Sequence, residues 1–401
     1  MSGRPARAGR LLAVTVAAAA LQSTPTQALG SPPDGVVTWG TSADHIGDAV
    51  ADRGYRMVVH TSVGGRDARV RLSNAFGDRP VTFDSVYAGL QQEGAALVPG
   101  SNRRLTFDGS STVTVPAGSV VYSDPRPGRL PAGSNLVVSL HTPDAAGPVT
   151  GHWMAMQTSY VTRGDHTAET AATHWTGTVG SWFYLDAVSV HPAPGTGAVV
   201  ALGDSITDGW HSTTDGNRRW PDYLARRLVK ADSTVKGVAN EGISGNKVLA
   251  DGAGESALNR LDRDVLSHPG VRTVFVFEGV NDIKAHTGVT AQDLIDGYRE
   301  IADRAHDAGT CVVVSTVAPF KGWPEWDPAG EAVRQEANAY IRGHSGDFDA
   351  VADFDRVLRS PYDHERMLPA LDGGDHIHPN DKGMQAMADS VDLNSLECAR
   401  S

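Results

Sequence analysis

The sequence is poor in cysteine, in aromatic residues and in positive charge. Of 401 residues, two are cysteine and 6% are aromatic, and 47 acidic side chains outnumber 35 basic ones for a formal net charge of −12. The acidic balance argues against nucleic acid or an anionic membrane as the main partner, because both require a basic face. The cysteines show no zinc-type spacing. With 40% hydrophobic residues, the composition is that of a folded globular protein, and the length predicts two domains.

The N-terminal hydrophobic run is too short to span a bilayer, which requires about 20 apolar residues. This run, Leu11–Leu21, follows an arginine-containing start and precedes the small-x-small sequence Thr26-Gln27-Ala28. The order predicts a signal peptide over residues 1–28, a secreted, extracellular protein and no integral membrane segment. A disordered or membrane-anchoring N-terminus is the alternative.

The two cysteines leave one structural question open. Cys311 opens an apolar segment, and Cys398 lies close to the end of the sequence. In an oxidising compartment such a pair often forms a disulfide. Otherwise Cys311 is a small buried hydrophobic residue.

Between residues 36 and 190, short segments alternate apolar with polar residues and are separated by Gly, Pro and Asp. Alternation is typical of strands with one buried and one solvated face, and it predicts an antiparallel β-sandwich domain over residues 36–190. Arg69 and Arg71 are expected on a solvated face. The predicted strands are Arg56–Ser62, Ala68–Ser73, Val81–Leu90, Thr112–Val115, Asn135–His141 and Trp182–Val188.

Residues 191–197 are rich in Pro and Gly and predict a linker. From residue 198 to 401, strand and helix patterns alternate, which predicts a second domain with a parallel sheet wrapped by helices. Ligands bind such sheets beyond the carboxyl ends of the strands. The predicted strands are Ala198–Leu202, Val235–Ala239, Thr273–Phe277, Cys311–Val317 and Ala350–Phe354, and the predicted helices are Trp220–Lys230, Ala291–Ala308 and Gly330–Ile341.

The first strand ends in Gly203-Asp204-Ser205. Gly203 allows a sharp turn, and a serine exposed at a strand end is a candidate nucleophile. Ser and Asp are also ordinary turn residues, so this tripeptide alone is weak evidence.

A second candidate pair, Asp375 and His378, lies near the C-terminus. At this spacing the carboxylate can accept the Nδ1 proton of the imidazole and leave Nε2 as a base. The alternatives are a solvated acidic loop or a metal site made from His376, His378 and nearby Asp residues.

Two further loops follow the second and third strands and carry Gly245 and Asn281. Acyl transfer requires hydrogen-bond donors aimed at the oxygen that becomes negative, and a glycine N–H and an Asn amide suit this task. Turn formation is the alternative for each loop.

Together these segments resemble the SGNH (GDSL) hydrolase family. Its four blocks are matched by Gly203-Asp204-Ser205, by the Gly245 loop, by Gly279-x-Asn281-Asp282 and by Asp375-x-x-His378. The resemblance implies a flavodoxin-like three-layer α/β/α sandwich, with Ser205 as nucleophile, His378 as general base and Asp375 as its orienting acid. It also implies an oxyanion hole made by the Ser205 amide, the Gly245 amide and the Asn281 side chain, and chemistry without metal or cofactor. A looser resemblance is to secreted bacterial arylesterases of xylan-degrading gene clusters.

Several tryptophans are candidates for substrate binding. Trp210, Trp323 and Trp326 are expected on the site face, where they stack on a sugar, line an acyl pocket or pack their loops. In the N-terminal domain Trp39, Trp153, Trp175 and Trp182 are either core residues or a polysaccharide platform, so that domain either binds carbohydrate or shapes the pocket.

The motifs are compatible with three functions: an esterase for short acyl groups such as acetyl on carbohydrate or aryl alcohols, a lipase or lysophospholipase, and a non-catalytic binding protein. The complete set of catalytic residues disfavours the third. An α/β-hydrolase is also disfavoured, because the sequence contains no Gly-x-Ser-x-Gly motif. The expected partner is a small-molecule or polysaccharide ester, and the oligomeric state stays open.

Overall fold

The computed structural model describes residues 1, 3, 34–343 and 346–397. The predicted signal peptide, apart from residues 1 and 3, lies outside the described residues. Cys398 lies outside them too, so a disulfide to Cys311 stays a prediction. No helix in the described ranges is both long and apolar enough to cross a membrane.

The N-terminal half is strand-rich, and its described residues between 34 and 196 form no helix. Its strands are β1 (Val36–Gly40), β2 (Asp44–Asp48), β3 (Arg53–His60), β4 (Gly65–Ser73), β5 (Val81–Phe83), β6 (Ser85–Glu93), β7 (Ala96–Leu97), β8 (Arg103–Arg104), β9 (Val113–Val115), β10 (Val120–Tyr122), β11 (Arg126–Leu130), β12 (Asn135–Thr142), β13 (Pro148–His152), β14 (Ser159–Arg163), β15 (Gly177–Val179), β16 (Trp182–Phe183) and β17 (Leu185–His191).

Two antiparallel sheets dominate this half. One has the order β1-β17-β4-β10, with β11 also on β4, and the other has the order β15-β14-β3-β12-β6-β7, with β8 on β6. Leu72 of the first sheet and Met57 and Val138 of the second belong to one hydrophobic cluster. Burial of alternate residues from both sheets stabilises this half. The assignment of a β-sandwich domain stays a prediction.

Two predicted strands are interrupted in the structure. The segment 81–90 divides at Asp84, because β5 pairs with β9 whereas β6 pairs with β12. The segment 182–188 divides at Tyr184, which has a φ of 57°. In both segments the strand changes its pairing partner at the interruption. The alternation of apolar and polar residues does not reveal such a change, so the sequence predicted one continuous strand in each case.

The expectation of a solvated Arg71 is wrong. Arg71 is 3% exposed, and its Nε lies 2.7 Å from Oδ1 of Asp186. Its Nη1 donates to Ser267 Oγ of the C-terminal half at 2.9 Å. Strand β4 lies between two neighbours, and its second face packs against the other half of the chain, so it has no solvated face at this position. Arg69 is partly buried.

The C-terminal half contains a five-stranded sheet in which every pairing is parallel. Its strands are β18 (Gly197–Gly203), β19 (Val235–Gly242), β20 (Val271–Phe277), β21 (Cys311–Ser315) and β22 (Ala350–Ala352). The order β19-β18-β20-β21-β22 is the flavodoxin-like order 2-1-3-4-5, in which the chain reverses direction of travel between the first and third strands.

Helices cover both faces of this sheet. They are α1 (Ser205–Asp208), α2 (Trp220–Lys230), α3 (Ala257–Arg260), a π-helix (Leu261–Leu266), α4 (Val280–Lys284), α5 (Ala291–Asp307), α6 (Pro328–Gly343), α7 (Phe354–Leu358), α8 (Asp381–Ser390) and a 3₁₀-helix (Leu393–Leu396). Val200 of β18 packs in a cluster with Leu294 of α5, whereas Val199 packs in a second cluster with Leu224 of α2. Alternation along the strand therefore produces three layers.

The predicted strand 350–354 is too long. It ends at Ala352, and Asp353 caps α7 by accepting a hydrogen bond from Arg356 N. Phe354 is therefore helical, and it packs against Trp220 and Phe275 in the second cluster.

The N-terminal half covers the edge strand β19. Val238 N donates to Ser62 Oγ at 2.9 Å, and a side chain on Gly237 would collide with Val37 O. Strand β17 ends at His191 and β18 begins at Gly197, so the predicted linker joins two closely packed halves. Covering β19 protects an edge that would otherwise be open to further pairing.

Candidate active site

Ser205 lies at the turn between β18 and α1. Asp204 caps the helix by accepting a hydrogen bond from Ile206 N at 2.9 Å. A side chain on Gly203 would collide with Thr207 and with the carbonyl of Phe277. The turn thus requires glycine before the cap and holds Ser205 at the carboxyl end of the sheet. Burial raises the pKa of Asp204 to about 7.

The structure brings Ser205, His378 and Asp375 together. Nδ1 of His378 lies 2.7 Å from Oδ2 of Asp375, a pure acceptor, so this nitrogen carries the proton. Nε2 of His378 is then an acceptor, and Ser205 Oγ donates to it at 2.7 Å. A hydroxyl in this contact can lose its proton to the imidazole as it attacks.

The electrostatics keep the imidazole neutral and the carboxylate charged. Burial lowers the pKa of His378, with further lowering by His211 and Lys284, against the opposing effect of Asp375. For Asp375, burial disfavours the charge, but hydrogen bonds from His378 outweigh it and hold the pKa of Asp375 below its usual value. The neutral imidazole is the form that accepts a proton.

Three predicted oxyanion donors lie at neighbouring strand exits. Gly245 has a φ of 84°, a conformation that favours glycine. Among the described residues, the amides of Ser205 and Gly245 have no hydrogen-bond acceptor. Asn281 Nδ2 donates to Asn246 O at 2.8 Å, and Asp204 Oδ2 lies 3.4 Å away. Two free amides and one weakly engaged side-chain hydrogen are therefore available to a ligand.

Asp282 braces this region. Its carboxylate accepts hydrogen bonds from Val248 N at 2.9 Å and from Leu249 N at 3.1 Å. These contacts join the Asn281 helix to the loop that follows Gly245.

The candidate tryptophans divide into two groups. Trp210 and Trp323 lie beside His378, with ring centroids 6.2 Å and 5.9 Å away. Trp326 instead lies against Lys321, whose Nζ is 5.2 Å from the ring centroid. In the N-terminal half, Trp39, Trp175 and Trp182 are buried, and Trp153 is 73% exposed.

His211 is a third group at the Asp375 carboxylate. Its Nε2 lies 3.1 Å from Oδ2 of Asp375, and its ring stacks on His378 at 5.8 Å. His211, Asp375 and His378 are close enough for their ligand atoms to share a metal ion, but His378 directs one nitrogen at Ser205 and the other at Asp375. His376 lies against Asp372 at 2.7 Å rather than beside His378.

Two supporting residues were not predicted from the sequence. Arg260 is fully buried and donates to the carbonyls of Gly203 and Glu241, to Asn246 Oδ1 and to Ser42 Oγ. His152 of the N-terminal half contacts Oδ1 of Asp208 at 2.9 Å, and Asp208 Oδ2 accepts hydrogen bonds from Ser244. Their partners are distant in sequence, so no local signal marked them.

The C-terminal half of the chain is similar to known hydrolases. Residues 201–386 match the GDSL-like Lipase/Acylhydrolase family. An aryl esterase from M. smegmatis is similar in structure, with 20% identity, 50% of this chain and 99% of that chain covered, and a TM-score of 0.42. A carbohydrate acetylesterase from Sinorhizobium meliloti is also similar in structure, with 19% identity and a TM-score of 0.39. The match covers 48% of this chain and 95% of that chain. No curated protein matches the sequence of this chain.

The parallel sheet and the Ser–His–Asp contacts at its carboxyl edge agree with the match of residues 201–386 to the GDSL-like lipase/acylhydrolase family, a family of hydrolases.

Proposed function

We propose that the protein is a secreted serine esterase that hydrolyses short acyl groups, such as acetyl, from carbohydrate or aryl alcohols. The observation that carries this proposal is the hydrogen-bonded series Ser205–His378–Asp375, next to free backbone amides. We base the proposal of secretion on the predicted signal peptide. We base a relationship to arylesterases of xylan-degrading gene clusters on the looser sequence resemblance.

The mechanism follows from the contacts. His378 Nε2 takes the proton of Ser205 as Oγ attacks the ester carbonyl carbon, and Asp375 stabilises the resulting imidazolium. The Ser205 and Gly245 amides and Asn281 Nδ2 donate to the developing oxyanion. His378 then protonates the leaving alcohol, and a water molecule activated by the same imidazole hydrolyses the acyl-enzyme.

The environment of His378 supports an alcohol site with aromatic walls. Trp210 is 45% exposed beside the imidazole, which must reach the leaving oxygen. The Trp323 ring also lies beside His378, and Lys284 Nζ lies 4.8 Å from the centroid of this ring. An aryl group or a sugar ring can pack against such aromatic faces.

The test is hydrolysis of p-nitrophenyl esters from acetate to palmitate by the purified protein and by Ser205→Ala. We expect activity on the short esters and none in the variant. A maximum at long chains would favour the alternative, a lipase or lysophospholipase. Equal activity in the variant would show that Ser205 is not the nucleophile.

A further inference from the structure

A cavity of about 240 Å³ lies between the two halves of the chain. The N-terminal half lines it with Ile46 of β2 and with Trp153 and Met154, which follow β13. The C-terminal half contributes Ile243 and Ala253, among others. The cavity is therefore a joint feature of the two halves, and the predicted catalytic residues do not account for it.

Two residues that line the cavity are close in sequence to the nucleophile and to the oxyanion loop. Asp208, which lines it, lies three residues after Ser205 in α1, or about 4.5 Å along the helix axis at 1.5 Å per residue. Ser244, another lining residue, precedes Gly245, and a side-chain carbon placed on Gly245 would lie 3.0 Å from Cβ of Ala253. The cavity thus adjoins the proposed oxyanion loop.

The position of the cavity distinguishes the two parts of an ester. The leaving alcohol must lie near His378, because this imidazole delivers its proton. His378, Trp210 and Trp323 do not line the cavity, and its nearest approach to the site is at Ser244, next to the oxyanion loop. A group that reaches the cavity must extend from the carbonyl carbon past this loop and away from His378, so it is the acyl chain.

We propose that this cavity is the acyl subsite and that the N-terminal half forms its outer wall. The proposal rests on the proposed esterase function and assigns it a substrate class: esters of unbranched aliphatic acids, including acids longer than acetate such as octanoate. A cavity volume of about 240 Å³ leaves room for an acyl chain longer than acetyl.

Several polar groups of the wall are already hydrogen-bonded. His152 faces three acceptors, with Nδ1 near Ser42 O and Nε2 near Met154 O and Asp208 Oδ1. Asp44 Oδ1 accepts from His45 N, and His45 Nε2 lies 3.0 Å from Gly47 O. Ile46, Met154 and Ile243 supply the apolar part of the contact surface. The 73% exposed Trp153 lies over this apolar wall without being needed for packing.

The kinetic test compares kcat/KM for p-nitrophenyl octanoate and acetate. Ala253→Phe places a bulky ring at the exposed rim of the cavity, and we expect the octanoate-to-acetate ratio to fall at least tenfold because the ring narrows the space for a long chain. Trp153→Ala removes part of the wall from an exposed position, and we expect a fall of about threefold. Val98→Phe, at an exposed site of the N-terminal half outside the cavity, is the matched control and should leave the ratio unchanged.

Thermal unfolding shows whether each variant is folded. If Ala253→Phe does not fold, the test relies on Trp153→Ala. An unchanged ratio in the folded variants, with Ser205→Ala inactive, would overturn the acyl subsite and leave the esterase intact.

Binding provides a readout that does not depend on turnover. Calorimetric titration of sodium octanoate into Ser205→Ala should show saturable binding, weakened at least tenfold when Ala253→Phe is added. This result would support the subsite even if Ser205→Ala retained hydrolysis and the proposed nucleophile were wrong. Absence of saturable binding in Ser205→Ala would overturn the subsite.

Discussion

At the scale of single residues, the two hydrogens of the Asn281 amide serve different purposes. One is donated to Asn246 O at 2.8 Å, which fixes the orientation of the side chain. The other has only Asp204 Oδ2 at 3.4 Å, a long contact for a hydrogen bond. A donor that is held in place but poorly satisfied is prepared to stabilise a charge that develops nearby.

Replacement of Asn281 by alanine should therefore reduce kcat more than it reduces stability. We expect a loss of about 10²–10³ in kcat, the usual effect of removing one oxyanion donor. The measurement is p-nitrophenyl acetate hydrolysis, with thermal unfolding of the same sample. Asn259→Ala, which changes an exposed amide bonded to Asp251, is the control. Full turnover in Asn281→Ala would contradict the oxyanion assignment.

The titration of His378 sets the acid limb of the activity profile. Activity requires the neutral imidazole, so it is lost as pH falls through the pKa of His378. Because burial lowers that pKa, the midpoint of kcat/KM against pH should lie below the ordinary histidine value of about 6.5.

Removal of a nearby positive charge should move this midpoint in a known direction. Lys284 lowers the pKa of His378, so Lys284→Met should raise it and shift the acid limb to higher pH. Lys230→Met, at the exposed end of α2, is the control. A midpoint that did not move in Lys284→Met, or moved to lower pH, would argue against His378 as the titrating base.

At the scale of elements, Arg260 joins the ends of two strands to a loop. Its guanidinium donates to Gly203 O at the end of β18, to Glu241 O in β19 and to Asn246 Oδ1 beyond it. It also reaches Ser42 of the N-terminal half. A planar group with five donors can satisfy several buried acceptors at once, which a lysine cannot do.

Arg260→Met should leave these buried acceptors unpaired and destabilise the protein by about 3–5 kcal/mol, the usual cost of removing one partner from a buried charged network. The measurement is urea unfolding, and the conservative variant Arg260→Lys should recover only part of the loss. Arg299→Met alters a surface arginine and should change stability by less than about 0.5 kcal/mol. A similarly small change in Arg260→Met would show that its contacts contribute little.

Local pattern predicted the elements of the C-terminal half better than their ends. The helix 220–230 is confirmed with its predicted bounds, because Pro221 and Asp222 mark its first turn. The strand from Cys311 ends at Ser315 rather than Val317, since Val317 N donates to Asn338 of α6. Helix α8 was missed because its apolar residues follow directly on the polar loop of His378.

In the candidate site, too, local sequence predicted some residues and missed others. Ser205, Asp375 and His378 were predicted because each lies in a short recognisable segment. Arg260 and His152 were not, since the partners that explain them lie up to 218 residues away in sequence. Burial of Arg71 depended on the contact between the two halves, which no strand pattern contains.

At the scale of the whole molecule, the two halves share one interior. A single hydrophobic cluster includes Val37 and Leu72 of the N-terminal half together with Val200 and Val274 of the parallel sheet. Buried polar contacts cross the same boundary, from Arg71 to Ser267 and from His152 to Asp208. Neither half can unfold without exposing apolar and charged groups of the other.

The halves should therefore unfold as one cooperative unit in differential scanning calorimetry, with equal calorimetric and van 't Hoff enthalpies. Arg71→Met tests this coupling, because it removes a buried cation that pairs with Asp186 and contacts Ser267. We expect the single transition of the whole chain to shift to lower temperature. Two transitions, of which Arg71→Met moved only one, would show that the halves are thermodynamically independent despite their shared interior.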